Sequence, residues 1–528
     1  MRHEMTLNHA HYERLSRSSS DLFHEALDVE FCEKPIIYRY FSLQFRKTRR
    51  LFSLIRKSFN FLSFFLLLLG IQLIFNGSYT ESNAPKFMPD AQEKVFIAAN
   101  IADGDLIDNS WGPSLLSLVD LIGVDRVYVS IYGYPTAQLL QLAGMLKCEH
   151  NIVSEELEPI NLDILPRILL PNGDQRIKRI SFLAEIRNKA LQPLAELERK
   201  GQKFDKVLFI NDVFFNPSEA LRLIWGTNVN KHGKAEYKAA CAADFITSWK
   251  YYDTFATRDA EGYSMGLPLF PWFSSKGLAA SRKDVLAGRD SVRVKSCWGG
   301  MVSFDARYFM STEQENSEAT SNSIRSLNTK FPVRFRSESE SFWDASECCL
   351  VHADIMALPS FYSLPVAVDN LNTGIFMNPY VRTAYSAQAL AWIPFTKRFE
   401  RLMAPIQLTI NWFAKMPRYN YRRTEEPGQV IVDRVWVSYN TNQNATNKGH
   451  GNSSSYLRHS RSHSLGNPST LWHQQGYYKN VERASKNGGY CGVRQLMVLK
   501  EAGYTHENNN KGGKNWDNLL NSVPPLNI

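Results

Sequence analysis

The chain lacks the marks of a zinc protein, a nucleic-acid-binding protein or a repeat protein. None of its seven cysteines forms a Cys-x-x-Cys pair or a cysteine–histidine array with zinc spacing, so no structural zinc site is expected. No basic stripe with interleaved aromatic residues runs through the body of the chain, which argues against nucleic-acid binding. No internal repeat recurs at solenoid periods. What remains is a chain of 528 residues, 44% of them apolar, which suits one large globular domain with appendages.

Positive charge is concentrated near the N-terminus and precedes an apolar segment. The formal net charge is +9, and residues 1–57 hold eleven Lys/Arg against seven Asp/Glu. Residues 59–75, FNFLSFFLLLLGIQLIF, carry no charge. Their number is at the short end for a membrane-spanning helix, which needs about 20 residues. Because the basic residues lie on the N-terminal side, we expect residues 58–76 to be a type II signal anchor and 1–57 to be a cytosolic tail.

This topology places the chain after a short stem, 77–93, in the secretory lumen. Glycosylation sequons begin at Asn76, Asn444 and Asn452, in agreement with that location. Cys32 is expected in the cytosol, which leaves six cysteines in an oxidising compartment. Six cysteines allow 15 pairings, and the sequence does not choose among them. The six are Cys148, Cys241, Cys297, Cys348, Cys349 and Cys491.

Residues 94–415 alternate strand and helix patterns. Strand patterns lie at 94–101, 126–133 and 206–210, and helix patterns lie at 114–123, 136–146 and 180–194. This rhythm predicts an α/β fold with crossover units and a mainly parallel central sheet covered on both faces. In such sheets, ligands bind outside the carboxyl ends of the strands.

Two acidic motifs follow predicted strands at that edge. Asn211 and Asp212 end the strand KVLFI, and a carboxylate there could hold a divalent metal that bridges a diphosphate. A solvated acid serving the turn is an equally common reading. Asp103 and Asp105 form a tidier Asp-x-Asp after the first strand and are a rival candidate. Downstream, Asn216-Pro217-Ser218-Glu219 predicts a helix start with a capping box.

Further polar residues occur in apolar surroundings later in the chain. Trp298, beside two glycines, is a candidate for stacking on a sugar, although a core aromatic is the simpler reading. The acidic, basic and histidine candidates are Asp244, Arg258, Asp259, Glu261, Glu347, His352 and Asp354. Each alone is more often structural than functional, and their joint occurrence in one α/β domain favours a site.

Several of these segments together resemble a known family. FINDVFF, CAADF, RDAEG, SCWGGMVSFDA and SECCLVHADI, in this order, are similar to the fungal cryptococcal α-1,3-mannosyltransferase and capsule-associated protein family, glycosyltransferase family 69. FLAEIRNKALQPL resembles the upstream helix of that family, and the likeness spans roughly 94 to 385. The sequence departs from its relatives at SIYGYPTAQ, where they more often carry an acidic, serine-rich segment, so the acceptor stays open.

The resemblance implies a type II Golgi membrane protein with a GT-A nucleotide-sugar fold. It also implies GDP-mannose as donor, a glycan acceptor and a divalent metal, Mn²⁺ or Mg²⁺. On this basis Asp212 and His352 are the expected metal ligands. Donor-binding roles fall to Asn100, Arg187, Asn211 and Trp298. Catalytic or sugar-gripping roles fall to Glu347, Asp244 and Asp259, in a transfer that retains the anomeric configuration.

Two alternatives remain from the sequence. One is an enzyme of the same fold that transfers another sugar, such as xylose. The other is a non-catalytic scaffold for polysaccharide assembly or export. The C-terminal extension, 416–528, includes an Asn/Ser/His-rich segment at 440–469 that is expected to be disordered. An island at 488–504 is expected to dock on the catalytic domain through a disulfide of Cys491.

Overall fold

The computed structural model describes residues 61–74, 78–170, 174–311, 331–362, 371–438, 476–501 and 515–519. The predicted cytosolic tail and the predicted disordered segment at 440–469 lie outside the described residues.

The strands and helices follow the predicted alternation. In chain order the strands are β1 (Val95–Ile101), β2 (Val127–Gly133), β3 (Glu149–Ser154), β4 (Arg167–Leu169), β5 (Gln175–Ile177), β6 (Lys206–Ile210), β7 (Ala239–Thr247), β8 (Lys250–Tyr251), β9 (Arg258–Asp259), β10 (Val292–Ser296), β11 (Met301–Asp305), β12 (Asp344–Ala345), β13 (Ile375–Ala384), β14 (Val430–Ser438), β15 (Gly476–Ala484), β16 (Gly492–Val493), β17 (Met497–Leu499) and β18 (Trp516–Asn518). The longer helices are α1 (Phe61–Ile74), α2 (Gly112–Ile122), α3 (Thr136–Met145), α4 (Arg179–Arg199), α5 (Pro217–Trp225), α6 (Ala280–Leu286), α7 (Glu347–Ala357), α8 (Ala387–Thr396) and α9 (Met403–Phe413).

A ten-stranded mixed sheet forms the centre of the fold. Its order is β3-β2-β1-β6-β11-β7-β13-β10-β9, with β8 paired to β7. Strands β3, β2, β1 and β6 pair in parallel, and so do β7 and β13. Strand β11 lies antiparallel between β6 and β7. The predicted α/β fold with a mainly parallel sheet is therefore confirmed, with β11 reversed at its centre and β8 and β10 reversed further along.

Alternating side chains of the sheet enter two separate hydrophobic clusters. On β6, Val207 and Phe209 face one cluster, whereas Leu208 and Ile210 face the other. The first cluster includes the apolar side of α4, and the second includes α2, α3 and α5. Both faces of the sheet are thus covered, which explains why its strands read as continuous apolar runs.

The start of α5 corrects one detail of the predicted capping box. The Asn216 side chain accepts a hydrogen bond from Ser218 N at 2.9 Å, and Pro217 is the first helical residue, as expected. Glu219 does not close the box. Its Oε2 accepts the backbone N–H of Arg382 at 2.7 Å, so it ties α5 to β13 instead.

Two disulfides connect distant parts of the chain. Cys241 is bonded to Cys297, and Cys349 is bonded to Cys491. The second bond joins α7 to the C-terminal island and confirms the expected docking. Strand β16 also pairs with β12, which precedes α7. The extension after residue 415 therefore packs on the α/β domain through this island.

The predicted signal anchor is described only in part. Helix α1 covers 14 residues of it. Within the described ranges, no helix has both the length and the apolar character needed to cross a membrane.

Candidate active site

The carboxyl ends of β1, β6, β7 and β13 share one edge of the sheet, and the candidate site lies there. Strand β11 runs the opposite way, so the turn before it reaches the same edge. In that turn Gly300 O accepts the N–H of Asn211 at 2.9 Å, and Gly299 O accepts a bond from Thr383 Oγ1 at 2.8 Å. The turn therefore links the ends of β6 and β13.

Only glycine fits at position 299 of this turn. Gly299 has a φ of 62°, and a Cβ there would lie 1.9 Å from the carbonyl oxygen of Ala242. The close backbone approach expected from the two glycines is confirmed. It brings the Trp298 side chain against the end of β6, where its ring centroid lies 5.3 Å from that of Phe209.

Asp212 lies half-buried directly after β6, near one acidic and one basic side chain. Burial raises the pKa of its carboxyl to about 7; the charge of Arg187 counteracts this rise, and that of Asp103 adds to it. Asp103 uses Oδ1 to accept the backbone N–H of Leu106 at 3.1 Å. The two motifs that compete in the sequence therefore contribute one carboxylate each to the same corner. Asp105, the other half of the Asp-x-Asp, is exposed.

Arg187 joins several predicted site residues. Its Nε donates to Glu347 Oε1 at 2.9 Å, and its Nη1 donates to Asn211 Oδ1 at 3.0 Å. The guanidinium carbon lies 4.4 Å from the centroid of the Trp298 ring. Although burial opposes it, the nearby Cys348 and Glu347 raise the pKa of Arg187 above its ordinary value. A fixed, charged guanidinium therefore stands beside Asp212.

These contacts change the expected roles of Asn211, Trp298 and Glu347. Asn211 holds Arg187 with its side chain, and its backbone oxygen accepts from Trp111 Nε1 at 2.9 Å. Trp298 is buried between Arg187 and aromatic side chains that include Phe209, so its ring is not available to stack on a sugar. Glu347, the first residue of α7, is buried in an ion pair. All three position Arg187.

Asn100 lies on the same side of the sheet, next to α4. Its Nδ2 donates to Tyr132 O and to Ile186 O, both at 3.1 Å, and Ile186 directly precedes Arg187. Its Oδ1 is buried and has no hydrogen-bond partner in the part of the chain that the structure describes. After β3, the buried Glu155 likewise has an Oε2 without a partner among the described residues. Burial raises the pKa of Glu155 to about 8. Asn100 and Glu155 thus each keep one buried oxygen that no described residue bonds.

Asp244 is completely buried, contrary to its expected role in gripping a sugar. Its Oδ1 accepts from Asp253 N and its Oδ2 accepts from Tyr385 Oη, both at 3.1 Å. Burial, with Asp253 as the next contribution, raises the pKa of Asp244 well above its ordinary value. Both oxygens are occupied, so Asp244 fixes the loop after β8 and the end of β13.

Asp259 and its neighbours hold loops together and do not face a ligand. Asp259 Oδ1 accepts the backbone N–H groups of Glu261 and Tyr263 at 3.0 and 2.8 Å. Arg258 is buried and donates to the carbonyls of Tyr490 and Cys491, each at 2.7 Å. The expected sugar contact of the Asp259/Glu261 pair is not supported by this arrangement, which fastens the C-terminal island.

His352 is placed away from its expected role as a metal ligand. Its Nδ1 is 2.6 Å from Cys348 O, and its Nε2 is 3.8 Å from Cys241 Sγ. His352, Cys241 and Cys297 lie close enough to suggest a metal group, but the two sulfurs form a disulfide and offer no thiolate. Burial lowers the pKa of His352 to about 4, so the ring is a neutral core group.

The donors at the corner of Asp212 and Asp103 fit a hard divalent cation. Mg²⁺ and similar ions are commonly bound by one or two carboxylates, with substrate phosphates and water completing the shell. Asp103 has a second carboxylate oxygen beyond the one that caps Leu106. Arg187, bonded to the neighbouring Asn211, supplies a fixed positive charge near Asp212 that suits a diphosphate.

Sequence reasoning missed three residues of this edge. Tyr385 directly follows β13, so its position at a strand end was a usable signal. Asp253 and Glu155 lie in loops whose packing the local sequence does not reveal. Asp103 was noted, although only as a competitor of Asp212.

Residues 94–354, just under half of the chain, match the family model described as Cryptococcal mannosyltransferase 1. This segment is therefore similar to that mannosyltransferase family, and the resemblance seen in the sequence is confirmed. The match contains both the Asp103–Asp212 corner and the Arg187–Glu347 pair. No curated protein matches the chain.

Solved glycosyltransferases show only distant likeness. A mannosyltransferase from Pyrobaculum calidifontis, in complex with GDP-Man and Mn²⁺, is 9% identical, with 67% of this chain and 84% of that chain covered and a TM-score of 0.28. Glucosyl-3-phosphoglycerate synthase from Mycobacterium tuberculosis, in complex with Mn²⁺, UDP and glucosyl-3-phosphoglycerate, is 11% identical, with 65% and 85% covered and a TM-score of 0.25. With TM-scores below 0.5, these likenesses carry no argument.

Proposed function

We propose that the chain is a retaining α-1,3-mannosyltransferase that moves mannose from GDP-mannose to a glycan. We assign residues 94–415 to a GT-A-type catalytic domain in the Golgi lumen, held there by the N-terminal signal anchor. The observation that carries the proposal is the meeting of Asp212, Asp103 and Arg187 at the carboxyl edge of the sheet. It lies within the segment that matches the mannosyltransferase family.

Asp212 and Asp103 would hold a divalent cation, Mn²⁺ or Mg²⁺. When bound, such an ion neutralises the charge that develops on a leaving diphosphate. Asp212 also places negative charge near Arg187, which helps to raise the pKa of that guanidinium. Asp212 is the stronger candidate, because Asp103 already uses one oxygen to cap a helical turn.

Arg187 would stabilise the diphosphate directly. Glu347 and Asn211 fix its Nε and Nη1, and Trp298 covers one face, so the guanidinium does not have to be ordered during the reaction. A preorganised positive charge of this kind stabilises a transition state more than a mobile one does. Glu347 acts through Arg187 in this account and is not assigned to the anomeric carbon.

Retention does not require the two-carboxylate spacing of a hydrolase. The leaving phosphate itself can take the proton of the acceptor hydroxyl, as the chemistry of a retaining transfer allows. Asp244 and Asp259 are buried and accept hydrogen bonds from the protein, which agrees with such a mechanism.

The nucleobase would lie at the corner of Asn100 and Glu155. Guanine presents N–H donors at N1 and N2, and a side-chain carbonyl oxygen can accept either of them. Glu155 Oε2 and Asn100 Oδ1 are buried acceptors without partners among the described residues. Since a buried acceptor left unpaired destabilises the protein, a donor-rich base is a suitable occupant.

The test is a transfer assay with the full chain purified in detergent. It is incubated with Mn²⁺, an α-mannoside acceptor and separate nucleotide sugars, beside the Asp212→Asn variant and the matched control Asp105→Asn. We expect mannose transfer from GDP-mannose that needs the metal, that Asp212→Asn abolishes and that Asp105→Asn retains.

The other outcomes identify the alternatives. Transfer from another nucleotide sugar would contradict the mannose assignment and leave the site account intact. A folded protein that neither transfers nor hydrolyses any donor would favour a non-catalytic scaffold in polysaccharide assembly.

A further inference from the structure

Helix α9 is amphipathic, but it turns its polar side toward the protein and its apolar side outward, the opposite of a helix that covers a core. Its buried side chains are polar. Gln407 Nε2 donates to Leu269 O at 2.7 Å, and Gln407 Oε1 accepts from Arg282 Nη1 at 2.6 Å. Asn411 Oδ1 accepts the N–H of Leu267 at 2.6 Å. The helix is therefore fastened to the domain by hydrogen bonds, and its apolar residues are left on the outside.

The outward residues of α9 and its neighbour α8 make a large exposed apolar face. Trp412 and Phe413 are 74% and 72% exposed. The apolar face is defined by Trp392, Phe395, Ile406, Leu408, Ile410, Trp412 and Phe413. Soluble monomeric proteins rarely expose contiguous apolar surface of this kind unless it binds something.

The exposed charged side chains of the segment that carries the apolar face are basic. Arg398, Lys415 and Arg418 are exposed next to it. Between residues 387 and 420 the sequence has one acidic residue, Glu400, and that residue is buried against Arg382 at 2.7 Å. An apolar centre flanked by basic residues of the same segment suits a surface that is itself apolar and edged by phosphates.

The apolar helix α1 reaches the same region of the molecule. Gln72 Nε2 donates to Arg398 O at 3.4 Å, and Ser78 Oγ donates to Lys397 O. These bonds attach α1 and the residues that follow it to the segment that joins α8 to α9. Several side chains of α1, Leu66 and Leu67 among them, are also exposed. The most apolar segment of the chain thus lies beside the link between α8 and α9.

We propose that the apolar face of α8 and α9 lies in the surface of a lipid bilayer. Trp392, Trp412 and Phe413 would enter the boundary between headgroups and acyl chains, which is where large aromatic side chains are enriched. Arg398, Lys415 and Arg418 would contact headgroup phosphates. This contact orients the catalytic domain on the membrane, and it requires neither that α1 cross the bilayer nor that the proposed transfer occur.

The test uses the full chain in vesicles and a polarity-sensitive fluorophore on one cysteine. Phe413→Cys, in a Cys32→Ser background, carries the probe, since the two other free cysteines, Cys148 and Cys348, are buried. Leu140→Cys, on the exposed side of α3, is the reference. In vesicles of phosphatidylcholine and phosphatidylserine with brominated acyl chains, we expect a blue shift and loss of most fluorescence at 413, with neither at 140.

Two results would overturn the proposal. A probe at 413 that stays in water in every vesicle places this face in solvent. A probe that is blue-shifted without bromine quenching means that protein, a second copy included, covers the face. A further variant sharpens the test: Ile410→Glu with Trp412→Glu should greatly reduce the bromine quenching at 413 and leave transfer to a soluble acceptor unchanged.

Discussion

Two groups of acidic residues lie along the same sheet edge, and they differ in how far the protein satisfies them. Asp244 has both oxygens bonded by the protein, and Asp259 accepts two backbone N–H groups. Asp212 and Asp103 lie at the other end, half-buried, beside a guanidinium held in place by other residues. An acidic residue at a strand end is therefore a candidate metal ligand only where the fold leaves one of its carboxylate oxygens without a hydrogen bond.

The largest loss of transfer activity is expected at Asp212. Asp212→Asn should reduce transfer by about 10³-fold, because removing a metal carboxylate costs several kcal/mol of transition-state stabilisation. Its thermal unfolding should change little, since no described residue depends on this side chain. Steady-state kinetics and calorimetry on the same preparation check both parts. A variant that loses its fold together with its activity would show that Asp212, like Asp244, stabilises the protein.

In the region of Asp244 and Asp259, where the protein bonds its own polar groups, substitutions should lower stability. Arg258→Met should lower the free energy of unfolding by about 3 kcal/mol, because it removes the donor to the buried carbonyl of Cys491 and leaves that of Tyr490 with only the longer bond from Asn420, at 3.3 Å. The matched control is Arg289→Met, at an exposed arginine that pairs with Asp284. Chemical denaturation measures both variants. Equal stability of the two would show that Arg258 does not fasten the C-terminal island.

Arg187→Lys tests whether geometry or charge matters at the corner. Lysine keeps the positive charge but cannot bond to Glu347 and Asn211 in the same fixed fork. We expect a loss of about 2 kcal/mol in transition-state stabilisation, mainly in kcat, with a smaller change in GDP affinity. The kcat and KM values and a GDP titration separate these terms. An unchanged kcat would mean that the guanidinium fork has no part in the transfer.

The smallest expected effect is a difference in Mn²⁺ affinity between substitutions of Asp103 and Asp105. Asp103→Asn should lower the affinity for Mn²⁺ by about 10-fold, the lower end of what removal of a contributing group costs a metal site. Asp105→Asn should leave it unchanged, because Asp105 is exposed. Titration of the metal into the protein with GDP present measures both. If the two variants behave alike, Asp103 is a helix cap and nothing more.

The sequence predicted which strands form the sheet edge. It did not predict which of the acidic side chains there are buried and hydrogen-bonded by the protein. Alternation of strand and helix patterns is local, and it predicted β1, β2, β6 and the helices between them correctly. Because parallel strands share a carboxyl edge, Asp212 and Asn100 could be placed near one another. The partners of Asp244 and Arg258 could not be predicted, since Tyr385 is 141 residues from the first and Cys491 is 233 from the second.

Trp298 and His352 show the same limit. Both looked functional because they were polar or aromatic residues in an apolar context. Trp298 is covered by Arg187, and His352 faces a disulfide whose partners are 56 residues apart in the chain. Only long-range packing distinguishes such residues from ligand-binding ones.

Metal binding at Asp212 tests the central claim most directly. Mn²⁺ is titrated into the full chain with GDP, and the amplitude of the free-ion electron paramagnetic resonance signal is followed for wild type, Asp212→Asn and Asp105→Asn. We predict that wild type and Asp105→Asn remove the free-ion signal in a one-to-one titration, and that Asp212→Asn leaves most of it. Binding of Mn²⁺ by Asp212→Asn with the affinity of wild type would contradict the account.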